Sequence, residues 1–394
     1  MSPQQQIGIK ATYMRGGTSK GVFFTPEDLP APAQRDSALR DAIMLRVVGS
    51  PDPYGKHIDG MGGATSSTSK VVLVGPSSRP DCDVDYSFGA VSIDTAVVDW
   101  SGNCGNLTAA VGPFAITRGL VKAPSEGVAV VRIWQANIGK KIVAHVPMAG
   151  GQVQELGDFE LDGVTFPAAE IKLEFLDPGA DEDSEGGAMF PTGNMIDRID
   201  IPGVGTIEAT LINAGNPTIF IDAAAVDLKG NELQDAVNSN AEFLARCEAI
   251  RAHCAVLMGL ASTAAEATEK RFHTPKLAFA AQPLDYTSSN GKFVAAADVD
   301  ILVRIMSMGK LHHAMTGTGA VAIAVAGAIP GTLVSRLLPS GSSAAVRFGH
   351  PSGALSVGAL AQETPDGWVV TQAVMSRSAR RLMMGEVLIP PPQA

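Results

Sequence analysis

The chain has 394 residues, of which 45% are hydrophobic and 18% charged, and its formal net charge is −10. This length exceeds one ordinary core, so two domains are expected, and the apolar content excludes a largely disordered chain. The acidic balance, without a basic cluster, argues against nucleic acid or an anionic membrane as partner, while a few local cations could still hold an anionic substrate.

The N-terminal MSPQQQIGIK lacks the basic and apolar segments of a signal peptide. The longest strongly apolar stretch, Ala320 to Ile329, is too short to span a bilayer. Four cysteines (Cys82, Cys104, Cys247 and Cys254) show neither a disulfide-scaffold pattern nor paired CxxC spacing. A soluble protein of the reducing cytoplasm is expected.

Along the chain, MRGGTSKGVFF from Met14 reads as strand, glycine turn, strand. A helical period follows in AQRDSALRDAIMLRVVG from Ala33. KVVLVG at Lys70, VSIDTAVVDW at Val91, VAVVRIWQ at Val128 and KIVAHVPM at Lys141 read as strands, and LTAAVGPFAI from Leu107 as a helix apolar nearly all round. The acidic, glycine-containing stretch with Asp181, Glu182, Asp183 and Glu185 reads as a solvated loop and boundary, without the spacing of an EF-hand. Beyond it come LINAGNPTIFI from Leu211, a strand at Lys276, an amphipathic helix in AEFLARCEAIRAHCAVLMG from Ala241, and an apolar one in MTGTGAVAIAVAGAI from Met315.

The order of hairpin, amphipathic helix, lysine-led strand and apolar helix therefore occurs twice. Two similar α/β halves are expected, residues 1–187 and 188–394, with the last strand free to return to the first half. Each wraps strands around its own buried helix, since a helix apolar all round must be buried, and the helix starts are expected to face a shared cleft.

Cys104, within SGNCGN, would stand at a helix start, where unpaired N–H groups and the macrodipole stabilise a thiolate. A free cysteine is usually a small buried hydrophobe, but flanking Asn103, Gly105 and Asn106 make this turn poor core material. The duplicated position, Thr316-Gly317-Thr318, offers hydroxyls and bare N–H groups suited to carboxylates and enolate-like charge. In TSSTSK, hydroxyls including Ser67 and Ser69, taken with Asn103, Gly105 and Asn106 as substrate-binding, precede Lys70, which opens an apolar strand; desolvation there favours a neutral amine able to act as base. The alternative is a solvated strand-end lysine.

RGGTSKG, with Arg15, Thr18 and Ser19, is a second hydroxyl-rich cationic turn suited to gripping carboxylates, and its glycine–lysine order is not that of a Walker A loop. Lys276 is a further carboxylate-holding candidate. Gly317 to Ala322 matches GxGxxA, but without a clear preceding strand or an acidic residue about twenty positions on, so no nicotinamide cofactor is expected. His312 and His313 cannot both point one way on a helix; His312 is taken as a substrate contact, and no metal is expected because no second ligand cluster appears nearby.

Together, ATYMRGGTSKGVFF, SPDPYGKHIDGMGGATSSTSK, VDWSGNCGNLTAAVG, VRIWQANIGKKIVAHVP, MGKLHHAM and VRFGHPSG resemble the PrpF family of 2-methylaconitate cis-trans isomerases, across nearly the whole chain. The resemblance implies an α/β (α+β) fold of two pseudo-symmetric diaminopimelate epimerase-like domains, each a strand-rich barrel-like sheet around a central helix, with the site between them. It implies Lys70 as principal catalytic base, Cys104 lining the site, and no metal or organic cofactor. The implied substrates are unsaturated tricarboxylates: 2-methylaconitate in propionate breakdown or, alternatively, 4-oxalomesaconate in aromatic-acid breakdown. A non-catalytic helper of an aconitase-like iron–sulfur dehydratase is a third reading, and self-association is left open. Amino-acid racemases of similar architecture have a cysteine at each helix start, whereas the second position here is Thr316, whose hydroxyl is too weak an acid or base near pH 7.

Overall fold

Period-2 apolar segments and two all-apolar helices determine how this chain packs, as a computed structural model covering residues 5–179, 188–365 and 367–390 shows. In chain order the first elements are β1 (Ile7–Gly16), β2 (Ser19–Phe24), α1 (Ser37–Val48), β3 (Lys70–Pro76), β4 (Val84–Val91), β5 (Val98–Asp99), α2 (Gly105–Thr117), β6 (Gly127–Gln135), β7 (Lys140–Ala149), β8 (Gln152–Val153) and β9 (Ile171–Leu176). There follow β10 (Asp197–Ile201), β11 (Gly205–Ala214), β12 (Asn216–Asp222), α3 (Gln234–Asn238), α4 (Ala241–Leu257), α5 (Ala264–Lys270), β13 (Lys276–Ala281), β14 (Tyr286–Thr287), β15 (Phe293–Val294), β16 (Ile301–Ser307) and β17 (Lys310–Leu311). The last are α6 (Gly317–Ala328), α7 (Leu333–Leu337), β18 (Ala345–His350), β19 (Gly353–Thr364), β20 (Gly367–Arg377) and β21 (Ala379–Ile389).

The described residues of Met1–Phe159, Pro167–Ile171 and Arg377–Ala394 form one unit, and those of Glu160–Phe166 and Lys172–Ser376 the other. The acidic stretch and the 187/188 boundary read from the sequence lie outside the described residues.

In the first unit β1 and β2 form an antiparallel hairpin, β2 pairs parallel with β3, β3 antiparallel with β4, β4 parallel with β6, and β6 antiparallel with β7. Parallel neighbours need a crossover; α1 lies between β2 and β3, and α2 between β4 and β6. β21 pairs along its length with β1. Val22, Val71 and Val91 face α1 in one core with Ile43, Met44 and Val47. The alternate residues face α2, where the Phe23 and Phe114 rings lie 5.5 Å apart. Asp36 caps α1 by accepting from the Ala38 and Leu39 N–H groups, and Gly49 ends it in the left-handed region.

The second unit repeats the order: the β11–β12 hairpin, β12 parallel with β13, β13 antiparallel with β16, β16 parallel with β18, and β18 antiparallel with β19. Here α4 packs through Cys247, Ile250 and Cys254 on Ile219, Ile221, Leu277 and Phe279, and α6 fills the second crossover, buried from Gly317 to Gly327.

VSIDTAVVDW is not one strand. β4 ends at Val91 and only Val98–Asp99 is extended again. Between them the Thr95 hydroxyl donates to Ser92 Oγ (2.6 Å) and the Val97 N–H to the Thr95 carbonyl (2.9 Å), local bonds that compete with a ladder. Among the described residues no helix is long and apolar enough to cross a membrane, and all four cysteines are free and buried.

The β1–β2 hairpin touches the start of α2 so closely that only glycine fits. A Cβ on Gly16 would lie 2.7 Å from the Asn106 carbonyl oxygen and 2.9 Å from Leu107 Cα. Both are backbone atoms, so the Gly16→Ala variant is expected to lose about 1–3 kcal/mol. Gly385→Ala, where an added Cβ meets nothing within 4 Å, should change stability by under about 0.5 kcal/mol. Urea unfolding midpoints compare the two, and equal midpoints would refute this account of the hairpin.

Candidate active site

Lys70 opens β3 directly opposite Ala90 of β4, and Ala90 is opposite Asp99 of β5. Directly opposed residues share a face, and so do alternate residues of one strand. Lys70, Phe88 and Tyr86 therefore line the α2 side of the sheet. The Lys70 amine lies 4.7 Å from the Phe88 ring centroid, and the Tyr86 hydroxyl donates to the Cys104 carbonyl at 3.3 Å. A Cβ on Gly21 would stand 3.1 Å from both Lys70 Cβ and Leu107 Cδ1. The lysine and the start of α2 are thus brought together on one face of one unit, with Lys70 5% and Cys104 6% exposed.

Cys104 is the N-cap of α2, and its side chain makes no capping hydrogen bond. Its carbonyl accepts from the Thr108 N–H (3.0 Å) and hydroxyl (3.1 Å), closing the first turn. Gly105 is the first helical residue. The Asn106 amide donates to Thr18 Oγ1 at 2.9 Å, tying the helix to the hairpin turn. Asn103, Ser19 and Ser67 are buried in the same unit. The Thr108 hydroxyl reaches Asn103 Oδ1 at 3.4 Å, and the Ser67 carbonyl accepts from the Lys20 N–H at 2.9 Å. Ser69, grouped on sequence with the substrate-binding residues, has its hydroxyl 3.2 Å from His57 Nδ1. Arg15 donates through one Nη to the carbonyls of Gly17 (3.0 Å) and Ser378 (2.9 Å). Burial and the nearby Arg380 pull its guanidinium down to about 10, with Glu155 opposing, so it remains a cation at neutral pH.

Arg377 was not legible in the sequence. Its Nε donates to Asn106 Oδ1 at 3.0 Å across 271 positions of chain. It is fully buried, which pulls it down to about 10, while the charge of Cys104 opposes that fall. A guanidinium thus stands within electrostatic range of the thiol at the start of α2. Nothing in SRSARR distinguishes this arginine from its neighbours; only the return of the chain to the first unit at Arg377 brings it to α2.

The second unit holds the matching group. Lys276 is opposite Thr218 on parallel β12 and is 1% exposed. Its amine is 3.1 Å from His273 Nδ1 and donates to Ser307 Oγ at 3.2 Å. Thr316 caps α6, its hydroxyl accepting from the Gly319 N–H at 3.1 Å, and Gly317 and Thr318 form the buried first turn. His312 and His313 are not on a helix, and the helical objection to their pointing together falls away: they lie between β17 and α6 with rings stacked at 4.7 Å. His312 Nδ1 accepts from the Ala314 N–H at 3.1 Å. Among the described residues no group of three or more His, Cys, Asp or Glu is placed to hold a metal ion.

Paired parallel crossovers around two buried helices, with Lys70 and Cys104 both buried in the first unit, define an α/β protein whose two units repeat one order of elements. A solved methylitaconate-delta-isomerase is 41% identical, covers 98% of this chain and 96% of its own, and superposes with a TM-score of 0.75. A solved probable proline racemase from Agrobacterium radiobacter, 12% identical over 96% of this chain and 92% of its own, shares the fold with a TM-score of 0.54. The 2-methyl-aconitate isomerase of Cupriavidus necator is 63% identical over 99% of both chains. The model of the family described as PrpF protein matches residues 6–390, and the chain belongs to that family.

The two helix starts differ in a way stability can read. Thr316→Val removes a capping acceptor and should cost about 1 kcal/mol. Cys104→Ser supplies one and should leave stability unchanged or raise it by up to about 1 kcal/mol. A larger loss for Cys104→Ser than for Thr316→Val in urea unfolding would contradict the capping geometry.

Burial holds His313 below the usual histidine value of 6.5. The unfolded chain therefore takes up the proton first, and stability is lost as pH falls through and below 6.5. His313→Gln should flatten the stability profile between about pH 7 and 5, which urea midpoints across that range would show.

Proposed function

We propose that this protein isomerises 2-methylaconitate between its cis and trans forms without an organic cofactor, in a reducing compartment. The observation that carries this reading is the 63% identity, over 99% of both chains, to the 2-methyl-aconitate isomerase of Cupriavidus necator, against 41% to the methylitaconate-delta-isomerase.

In the proposed reaction Lys70, as the neutral amine, removes a proton from the carbon allylic to the substrate double bond. The electron pair spreads over the three-carbon unit and its carboxylate, so the former double bond can rotate. Lys70 as ammonium, or the Cys104 thiol, then returns a proton to carbon, and no other atoms are exchanged. The N–H groups at the start of α2 offset the developing negative charge, helped by the Arg377 guanidinium. Thr18, Ser19, Asn103 and Asn106 surround the same helix start and are assigned to carboxylate binding with Arg15 and Ser67. Lys276, His312, Thr316, Gly317 and Thr318 are assigned the corresponding role in the second unit.

Lys70→Ala is expected to lower kcat by about 10²–10⁴, the range for a positioned general base, with unfolding midpoint unchanged. Near-normal turnover by Lys70→Ala would remove the base assignment. Purified protein alone should convert synthetic trans-2-methylaconitate, with a higher kcat/KM than for 4-oxalomesaconate. A requirement for an added aconitase-like iron–sulfur dehydratase would make the protein a helper, and the opposite substrate ranking would make it a tautomerase.

A further inference from the structure

The segment between α1 and β3 is wound around one buried imidazole. His57 Nδ1 accepts from the Ala64 N–H at 3.3 Å and is 3.2 Å from the Ser69 hydroxyl, while Nε2 lies 3.4 Å from the Ile93 carbonyl. A backbone N–H can only donate, so Nδ1 is the unprotonated nitrogen, the Ser69 hydroxyl donates to it, and the ring proton on Nε2 faces Ile93. The His57 main-chain N–H donates to the Asp52 carboxylate at 2.6 Å.

The winding is tight. A Cβ on Gly62 would come within 2.2 Å of Nδ1. His57 and Ala64 both adopt a φ of 53°, left-handed positions that non-glycine residues occupy only when their surroundings impose them. Residues on both sides of the ring are solvent-facing, Tyr54 at 84% and Ile58 at 88% exposure. Met61 of the same segment packs on the α1 core, while Tyr54 and Ile58 contribute no apolar burial.

What the ring does hold is Ser69. That residue donates its N–H to the Thr65 carbonyl (3.0 Å), accepts from the Val91 N–H at its own carbonyl (3.0 Å), and gives its hydroxyl to His57. Lys70 follows directly, and by alternation its side chain leaves on the other face, toward Phe88.

We propose that His57 is a positioning residue: by fixing the Ser69 hydroxyl it sets the Ser69–Lys70 peptide from which the Lys70 amine is aimed. The inference rests on the reading of Lys70 as base. In this role His57 acts through the Ser69 hydroxyl that it holds, not on substrate. Without the hydroxyl anchor the Ser69–Lys70 peptide keeps only its backbone bonds, and a small tilt there is largest at the amine, at the end of four methylenes. Displacement of a reacting group by about 1 Å can cost about 10²-fold in rate. The binding groups at the start of α2 are on other elements and stay in place.

The test compares His57→Leu, His57→Gln, Ser69→Ala and the His57→Leu/Ser69→Ala double variant with 2-methylaconitate. Each single apolar variant should lower kcat about 10- to 100-fold with KM within about threefold. The double variant should be no slower than the slower single one, because both remove the same link. His57→Gln, whose side-chain oxygen can accept from Ser69, should recover part of the rate. Should His57→Leu fail to fold, Ser69→Ala, which deletes a single oxygen, carries the test alone.

Wild-type kcat in a folded Ser69→Ala, or a double variant slowed by the product of the two singles, overturns the inference. An inactive Lys70→Ala beside a fully active Ser69→Ala removes this proposal and leaves the base assignment standing. An active Lys70→Ala removes the base assignment itself.

Discussion

Everything in the first unit depends on burying a helix that is apolar on every side. From Gly105 to Ala115 every residue of α2 is buried, and a helix so placed cannot turn its polar start toward bulk water as a surface helix does. Its first N–H groups still need partners. In α6 the Thr316 hydroxyl supplies one; in α2 the N-cap is a cysteine that makes no such bond. The start of α2 therefore carries a sulfur atom where α6 carries a capping hydroxyl, and the positive end of the helix dipole beside it is what the proposed reaction would use to offset negative charge.

Small residues make that burial possible. Gly16 and Gly21 let the hairpin and the lysine strand close on the first turn, and at Gly17, with φ of 50°, a Cβ would also strike Asn106 Oδ1 at 2.4 Å. The same contacts hold residues of the proposed site: Gly21 lies between Lys70 and Leu107, and Thr18 in the turn accepts from Asn106. Packing and site are one arrangement, so a change that relaxes the hairpin also loosens the groups around the thiol.

Much of this was legible because it is local. The apolar periods of α2 and α6, the strand–glycine–strand hairpins and the lysine at the head of β3 and β13 all follow from residues a few positions apart. What escaped was set by distance. Residues 92–97 carry strand-forming side chains, yet Ser92 and Thr95 bond to each other, and the Ser50 hydroxyl donates to the Ser92 carbonyl at 2.6 Å from 42 positions away. Arg377 reaches Asn106 from 271 positions away, and His57 reaches Ser69 and Ile93 from 12 and 36. A charged or aromatic residue in a loop has no period to announce its partner, whereas a buried helix has.

The inequality of the two helix starts bears on which carbon-acid reaction this fold serves. Inverting a stereocentre needs a proton taken from one side and returned from the other, hence a competent acid–base group on each. Thr316 cannot be one of them: its hydroxyl is engaged as a capping acceptor and is too weak an acid near neutral pH. The buried lysine and the buried cysteine instead both belong to the first unit. In the proposed reaction the proton is returned after the delocalised carbanion has rotated, by Lys70 or by Cys104, so the geometry of a double bond changes without a donor from the second unit. A threonine at the start of α6, where its hydroxyl is committed to the cap, thus leaves the acid–base work of the proposed reaction to the groups of the first unit.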